Sequence, residues 1–552
     1  MAAVRNVLWI MCDQLRRDYL SCYGHPSLKT PNIDRLAKMG VRFDRAYVQS
    51  TICGASRMSA YTGRYVRSHG ASTNNVPLKV GELTLGDHLR EIGVRNVLVG
   101  KTHMEADTEG MERLGIDPDS VIGVHVSQCG FEPYERDDGL HPNGPYDPDP
   151  DYDNYLRTNG FDGENPWEQW ANSAEGPDGK LLNGWLLAHA NQAARVPEEH
   201  SETPYMTRRA MDFIRETRDD DRPWLLHLSY IKPHWPYIVP APYHDMYGED
   251  DVIPVVRSET ERDEPHPVYR AFMEERYSTN FSRDEVRKRV IPAYMGLIKQ
   301  VDDQIGELLD FMDAEGLLET TMIVFTSDHG DYLGDHWLGE KYLFHEQSVG
   351  VPLIVVDPDP RADATRGTVS DALVEMIDLA PTFLEAFGGV PKPHVLEGRA
   401  LQPILHEIDG TIGRAAVISE YDYSLDAARI KLATPVSDAR MTMVFDGRWK
   451  YVHVPGHRPM LFDLENDPQE FNDLGGDADY AAECARLRDA MFEWASRPAT
   501  RTTVSDAEIM ARDNIALKFN QAAGVGVIIG FWDEAELEED RRNREEALRD
   551  GS

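Results

Sequence analysis

The sequence predicts an α/β protein in which a large, mostly parallel sheet is sandwiched by helices and followed by a smaller C-terminal α+β domain containing an antiparallel sheet. Three observations carry this reading. Short apolar runs alternate with helical segments through the first two thirds of the 552 residues, the pattern of a parallel sheet covered by helices. Four of those runs release polar clusters at their carboxyl ends, where open α/β sheets keep their chemistry. Beyond about residue 390 the pattern changes, and Arg440 to Phe445 and Arg448 to Val454 flank Asp446-Gly447, a hairpin signal.

Taken in order, Val7 to Cys12 is a continuous apolar run that delivers Asp13 and Gln14. Thr30-Pro31, followed by Ile33, Leu36 and Ala37 and closed by Gly40, predicts a short helix from its N-cap, first-turn proline, apolar face and terminal glycine. Residues 54 to 62, ending at Gly63, predict a second helix. Cys53 then sits at a helix N-terminus, where free N–H groups and the macrodipole favour an anion. Val94 to Gly100 delivers Lys101 and His103. From Glu105 to Glu202 the pattern dissolves into Asp, Pro, Gly and Tyr, as in His141 to Pro150, which predicts an irregular insertion suited to substrate selection. Trp224 to Tyr230 delivers Lys232 and His234, and Met322 to Ser327 delivers Asp328 and His329. Val351 to Val355 and a helix over Asp378 to Phe387 complete a first domain of residues 1–389, with 105–202 as its insertion; residues 390–500 form the smaller domain. Residues 501–552 are an extension with an apolar stretch, Gly524 to Trp532, and a charged tail from Asp533, which suggests an oligomerisation arm and a homo-oligomer.

A formal charge of −38, from 57 basic and 95 acidic residues, repels nucleic acid and anionic membranes over most of the surface. An anionic substrate must therefore be captured by a local positive pocket. The five cysteines are odd in number and widely scattered, which argues against a disulfide framework. No stretch is long and apolar enough to span a bilayer, and the N-terminus lacks a long apolar segment with a cleavage site. A cytoplasmic location is the expectation.

Ordinary cysteine catalysis needs a lowered thiol pKa and a partner base, so a thiol among hard metal ligands and lysines points to a precursor. Cys53-Gly54-Ala55-Ser56-Arg57 resembles the Cys-x-Pro/Ala-x-Arg segment of the sulfatase family in the alkaline-phosphatase superfamily. Phe462-Asp463-Leu464 with Asp467-Pro468-Gln469-Glu470 resembles the segment that closes the C-terminal domain there, so the likeness reaches both ends of the chain. The resemblance implies an alkaline-phosphatase-like fold and oxidation of Cys53 to formylglycine by a formylglycine-generating enzyme. It further implies one divalent metal held by Asp13, residue 53, Asp328 and His329, with Mn²⁺ favoured by the imidazole and Ca²⁺ as the alternative. Gln14 stands where many family members carry an aspartate; Asp-Gln and Asp-His pairs are similar to those of the choline-sulfatase and phosphonate-monoester-hydrolase branches.

By the same resemblance Lys101 and His103 steady the transferring group, Lys232 and Lys341 contact the ester anion, and His234 or Lys341 protonates the leaving alcohol. Arg57, one helical turn from Cys53, is expected to hold the aldehyde residue and a nearby oxyanion. Asn74 and Asn75 match a segment that places one polar side chain near the substrate. The implied reaction hydrolyses a small sulfate ester, of the arylsulfatase type, through a covalent hemiacetal sulfate, with His103 as base for its breakdown. One alternative applies the same site to phosphonate monoesters or phosphodiesters. Another leaves Cys53 a thiol in a non-catalytic binding protein.

Overall fold

The computed structural model describes residues 4–139, 150–497, 501–512 and 533–550; residues 141–149 and the apolar Gly524 to Trp532 lie outside them. Met1–Pro391 and Leu396–Arg497 make one compact unit, and Lys392–Val395 with Pro498–Ser552 a second. The second unit contains the helices Asp506–Arg512 and Glu534–Asp550.

The strands of the main sheet are β1 (Asn6–Asp13), β2 (Val41–Tyr47), β3 (Arg95–Gly100), β4 (Glu132–Arg136), β7 (Trp224–Pro233), β8 (Thr321–Ser327), β9 (Gly350–Val356), β10 (Val369–Ser370) and β11 (Val374–Glu375). β5 (Ser173–Glu175) and β6 (Leu181–Asn183) form a separate hairpin. The order is β10-β2-β9-β8-β1-β7-β3-β4, with β11 also paired to β2. Every pairing is parallel except those of β9, which runs against both β2 and β8.

Alternation along the strands divides the core between the two faces of this sheet. Val7, Trp9 and Met11 of β1 enter one apolar cluster with Met322 and Val324 of β8. Leu8, Ile10 and Cys12 enter the other with Ile323 and Phe325. A strand buried on both faces reads as an unbroken apolar run, which is why β1 and β8 are legible in sequence. Each such side chain contributes about 1.5–3 kcal/mol on burial.

The predicted fold class is the observed one, with a four-stranded antiparallel sheet β12 (Val417–Asp422), β13 (Arg440–Phe445), β14 (Trp449–His453) and β15 (Met460–Asp463) following the large sheet. The hairpin turns at Gly447, whose φ of 98° suits a residue without a Cβ.

Three expectations need correction. Residues 105–202 are not irregular throughout: Glu132–Arg136 is an edge strand of the main sheet, and helices span Thr108–Leu114, Val121–Ser127 and Asp151–Thr158. Thr30 does not cap the helix Pro31–Met39, because its hydroxyl is bonded to Ser21 Oγ at 2.8 Å. Asp302 Oδ1 caps it instead, accepting from Asn32 N at 3.0 Å and Ile33 N at 2.9 Å. Gly40 is extended at φ −134° rather than left-handed. Its lack of a side chain is needed because a Cβ there would lie 2.1 Å from Val355 O.

Candidate functional site

Strands β3, β7, β1 and β8 are consecutive and parallel, so their carboxyl ends bring Lys101, Lys232, His234, Asp13, Asp328 and His329 to one edge. Because β9 is reversed, the whole segment between β8 and β9 begins and ends at that edge, and it carries Lys341 there. The helix Cys53–Thr62 follows β2 and places Cys53 in its first turn, fully buried.

Around Cys53 Sγ lie His329 Nε2 at 3.0 Å, Lys341 Nζ at 3.2 Å and Asp13 Oδ1 at 3.8 Å. Asp13 Oδ2 pairs with Lys101 Nζ at 2.6 Å and with the Arg57 guanidinium at 3.1 Å. Asp328 Oδ2 accepts from Arg57 Nε at 2.8 Å, while its Oδ1 accepts from Gln14 N at 3.1 Å. Arg57 also donates to Lys101 O at 2.9 Å and Ser229 Oγ at 2.8 Å, and it is 0% exposed. Its guanidinium thus holds two acids in place.

His234 Nδ1 donates to Trp235 O at 2.7 Å, leaving Nε2 as an acceptor 3.2 Å from Lys341 Nζ. Lys232, expected to contact the anion, has partners within the protein. Its ammonium lies 3.7 Å from Glu202 Oε2 and donates to Pro236 O at 3.3 Å, bracing the His234 loop. Asn74 Oδ1 accepts from Gly54 N at 2.8 Å, which leaves the amide's N–H groups on the far side of that bond. Thr102 N and His103 N both donate to Asp138 Oδ1, at 2.9 and 2.8 Å, and hold His103 at a φ of 52°.

Sequence reasoning missed Ser229, Asp138, Asp331 and Glu340. Asp331 Oδ2 accepts from Gln14 Nε2 at 2.6 Å, and Lys341 Nζ donates to Gln14 Oε1 at 2.9 Å. Two positions were signalled by adjacency, since Asp331 ends Asp328-His-Gly-Asp331 and Glu340 precedes Lys341.

The electrostatics follow from burial and close charges. Burial alone would raise the Cys53 thiol, but Lys341, His329 and Lys101, with a hydrogen bond from His103, hold it well below the ordinary value. Burial opposes charge on Lys341, yet Cys53, Glu340 and Asp13 raise its pKa. His234 is lowered to about 4 by burial and then by Lys341. Burial and Cys53 would raise Asp13, but Lys101, His234 and Arg57 bring it below the carboxylate range. Asp328 is raised by burial and by neighbouring Asp13, against the pull of Arg57.

One ligand atom each from Asp13, Cys53, Asp328 and His329 lies within 4.8 Å of the others, and all four residues are buried. This donor set fits a divalent cation. His329 Nδ1 donates to Gly330 O at 2.9 Å, so Nε2 turns its lone pair into the cluster. Two adjacent buried carboxylates, one of them with a raised pKa, are stabilised when a cation joins them. Oxygen and imidazole donors together suit Mn²⁺ as well as Ca²⁺. Among the described residues no helix is long and apolar enough to cross a membrane.

Known proteins resemble this chain over most of its length. The model of the sulfatase family matches residues 5–390, and that of the N-sulphoglucosamine sulphohydrolase C-terminal region matches residues 334–497. The chain is 32% identical over 520 residues to the multifunctional alkaline phosphatase superfamily protein PehA of Trinickia caryophylli, covering 90% of this chain and 96% of that one. It is 26% identical to an arylsulfatase of Clostridium perfringens, covering 88% and 94%. Among solved structures, the phosphonate monoester hydrolase SpPMH from Silicibacter pomeroyi superposes with a TM-score of 0.76 at 27% identity, covering 89% of this chain and 95% of that one.

Proposed function

Since the chain belongs to the sulfatase family of sulfuric ester hydrolases, we propose that it hydrolyses small sulfate esters with Cys53 converted to formylglycine and a divalent cation held by Asp13, residue 53, Asp328 and His329. The observation that carries this reading is the convergence of those four side chains within 4.8 Å, beside two buried ammonium groups and a buried imidazole. When bound, the cation would lower the pKa of a hydroxyl at residue 53 and screen the ester's charge.

The chain's own residues supply the rest. Lys101 and Lys341 neutralise charge on the ester oxygens in a site closed to water, where fixed cations act most strongly. His234 or Lys341, 3.2 Å apart, protonates the departing alcohol, and the ammonium is the one that carries a proton before substrate arrives. His103 is the base for the second half of the reaction. Arg57 orients both carboxylates, and Lys232 braces the His234 loop. Mn²⁺ is the favoured cation, a formylglycine-generating enzyme the maturation partner, and the assembly a cytoplasmic homo-oligomer. Stripping the cation is expected to abolish aryl sulfate turnover, with Mn²⁺ restoring it, and Cys53→Ala is expected to reduce turnover to background. Wild-type activity in Cys53→Ala would refute the reading.

A second reading, phosphonate monoester or phosphodiester hydrolysis, is favoured by the neutral Gln14 and by the likeness to a phosphonate monoester hydrolase. Parallel assays with aryl sulfate, aryl phenylphosphonate and a phosphodiester separate the two. The first reading expects sulfate to be fastest; a large excess of the phosphonate rate would put the second in its place.

A further inference from the structure

Gln14 lies among two carboxyl groups and an ammonium. Its Nε2 is 2.6 Å from Asp331 Oδ2 and 3.4 Å from Glu340 Oε2, and its Oε1 is 2.9 Å from Lys341 Nζ. A primary amide has two orientations of nearly equal shape, and only its partners choose between them. Asp331 Oδ2 accepts at this contact, so it takes the NH₂ end and turns the oxygen toward Lys341. Asp331 is itself fixed, accepting from Tyr237 OH at 2.9 Å on Oδ2 and from Leu333 N at 2.9 Å on Oδ1. The backbone is committed to the same arrangement, with Gln14 at φ 64° and Glu340 at φ 59°, a region uncommon outside glycine.

The ammonium of Lys341 then has three acceptors for its three N–H groups: Gln14 Oε1 at 2.9 Å, Cys53 Sγ at 3.2 Å and His234 Nε2 at 3.2 Å. We propose that Asp331, with Glu340 beside it, is a positioning residue for leaving-group protonation, acting by fixing the Gln14 amide and thereby aiming Lys341 at residue 53 and His234. This rests on the roles given to Lys341 and His234 in the sulfate-ester reading. Asp331 touches neither the reacting atoms nor the proposed cation ligands; its influence travels through one amide.

The test is Asp331→Asn, nearly the same shape, whose side chain can present either a donor or an acceptor to Gln14. Phenyl sulfate, whose leaving oxygen needs a proton, is expected to lose about 10- to 100-fold in kcat. For 4-nitrophenyl sulfate, whose phenolate leaves unaided, the loss should stay within about 3-fold. KM and bound cation should not change. In a Lys341→Ala background Asp331→Asn should cost nothing further, because both substitutions remove the same function. Equal losses on the two esters, or additive losses in the double variant, would overturn the proposal. Tyr237→Phe, which removes one donor to Asp331, is the milder probe should Asp331→Asn fail to fold, with the same leaving-group bias at about 2- to 5-fold. If the wild type acts on phosphonates, the phenyl and 4-nitrophenyl phenylphosphonates replace the sulfates. Turnover of neither pair would refute the parent reading and this inference with it, whereas an active wild type without the bias refutes this inference alone.

Discussion

At Arg57 the guanidinium is engaged by Asp13, Asp328, Lys101 O and Ser229 Oγ, so it fixes two acids at once. Arg57→Lys keeps the charge but cannot bridge two carboxylates. A fall of about 10- to 100-fold in cation affinity is expected, read as metal retained after dialysis against graded chelator. Unchanged retention would mean that the carboxylates hold their positions without the fork. Arg57→Ala, which takes the guanidinium from Asp328 and leaves Asp13 to Lys101, is expected to cost about 3–5 kcal/mol in denaturant unfolding. Cys53, Asp13 and Asp328 could be picked out in the sequence by residue type and by position at strand or helix ends. The direction of a long side chain could not. One-turn spacing puts Arg57 on the same helical face as Cys53, but its endpoint depends on a carboxylate arriving from residue 328, and Lys232 likewise meets Glu202 through tertiary contact alone.

The helix Pro31–Met39 shows the same division between elements. Its existence follows from Pro31, Ile33, Leu36 and Gly40, yet its cap comes from Asp302 on the helix Asp284–Ala314. Asp302→Ala should cost about 1 kcal/mol. Gly40→Ala should cost about 1–3 kcal/mol, because the new methyl meets the β9 backbone at Val355. A denaturant midpoint for Gly40→Ala equal to that of the wild type would contradict this close approach. β9 was legible as a strand but not as a reversed one, since an apolar run buried on both faces looks alike in either direction. Glu132–Arg136 was invisible because Glu132-Pro-Tyr-Glu-Arg136, on the sheet's edge, has no apolar run at all.

Across the whole molecule, two core histidines each contribute stability that is lost in acid. His69 and His227 are both lowered to about 3, chiefly by burial, from an ordinary 6.5. Below pH 6.5 the unfolded chain therefore binds protons at these two positions that the fold refuses, and their contribution to the unfolding free energy declines until pH nears 3. His227→Gln removes one such group, so its stability should vary less steeply with pH over that interval; an unchanged slope would contradict the assignment. At this scale the fold class was readable because strand ends and apolar runs recur at regular places, and the family motif lies at one of them. What the sheet order does, setting β3, β7, β1 and β8 side by side, is a property of pairing over more than 200 residues, as between Val7 and Leu225. The account depends most on residue 53, and the direct measurement is the mass of the peptide that bears it, taken from natively expressed, active protein. The account predicts the lighter mass of an aldehyde residue on a peptide that takes up no thiol-alkylating reagent; a peptide alkylated at residue 53, from protein that turns over its ester, would contradict it.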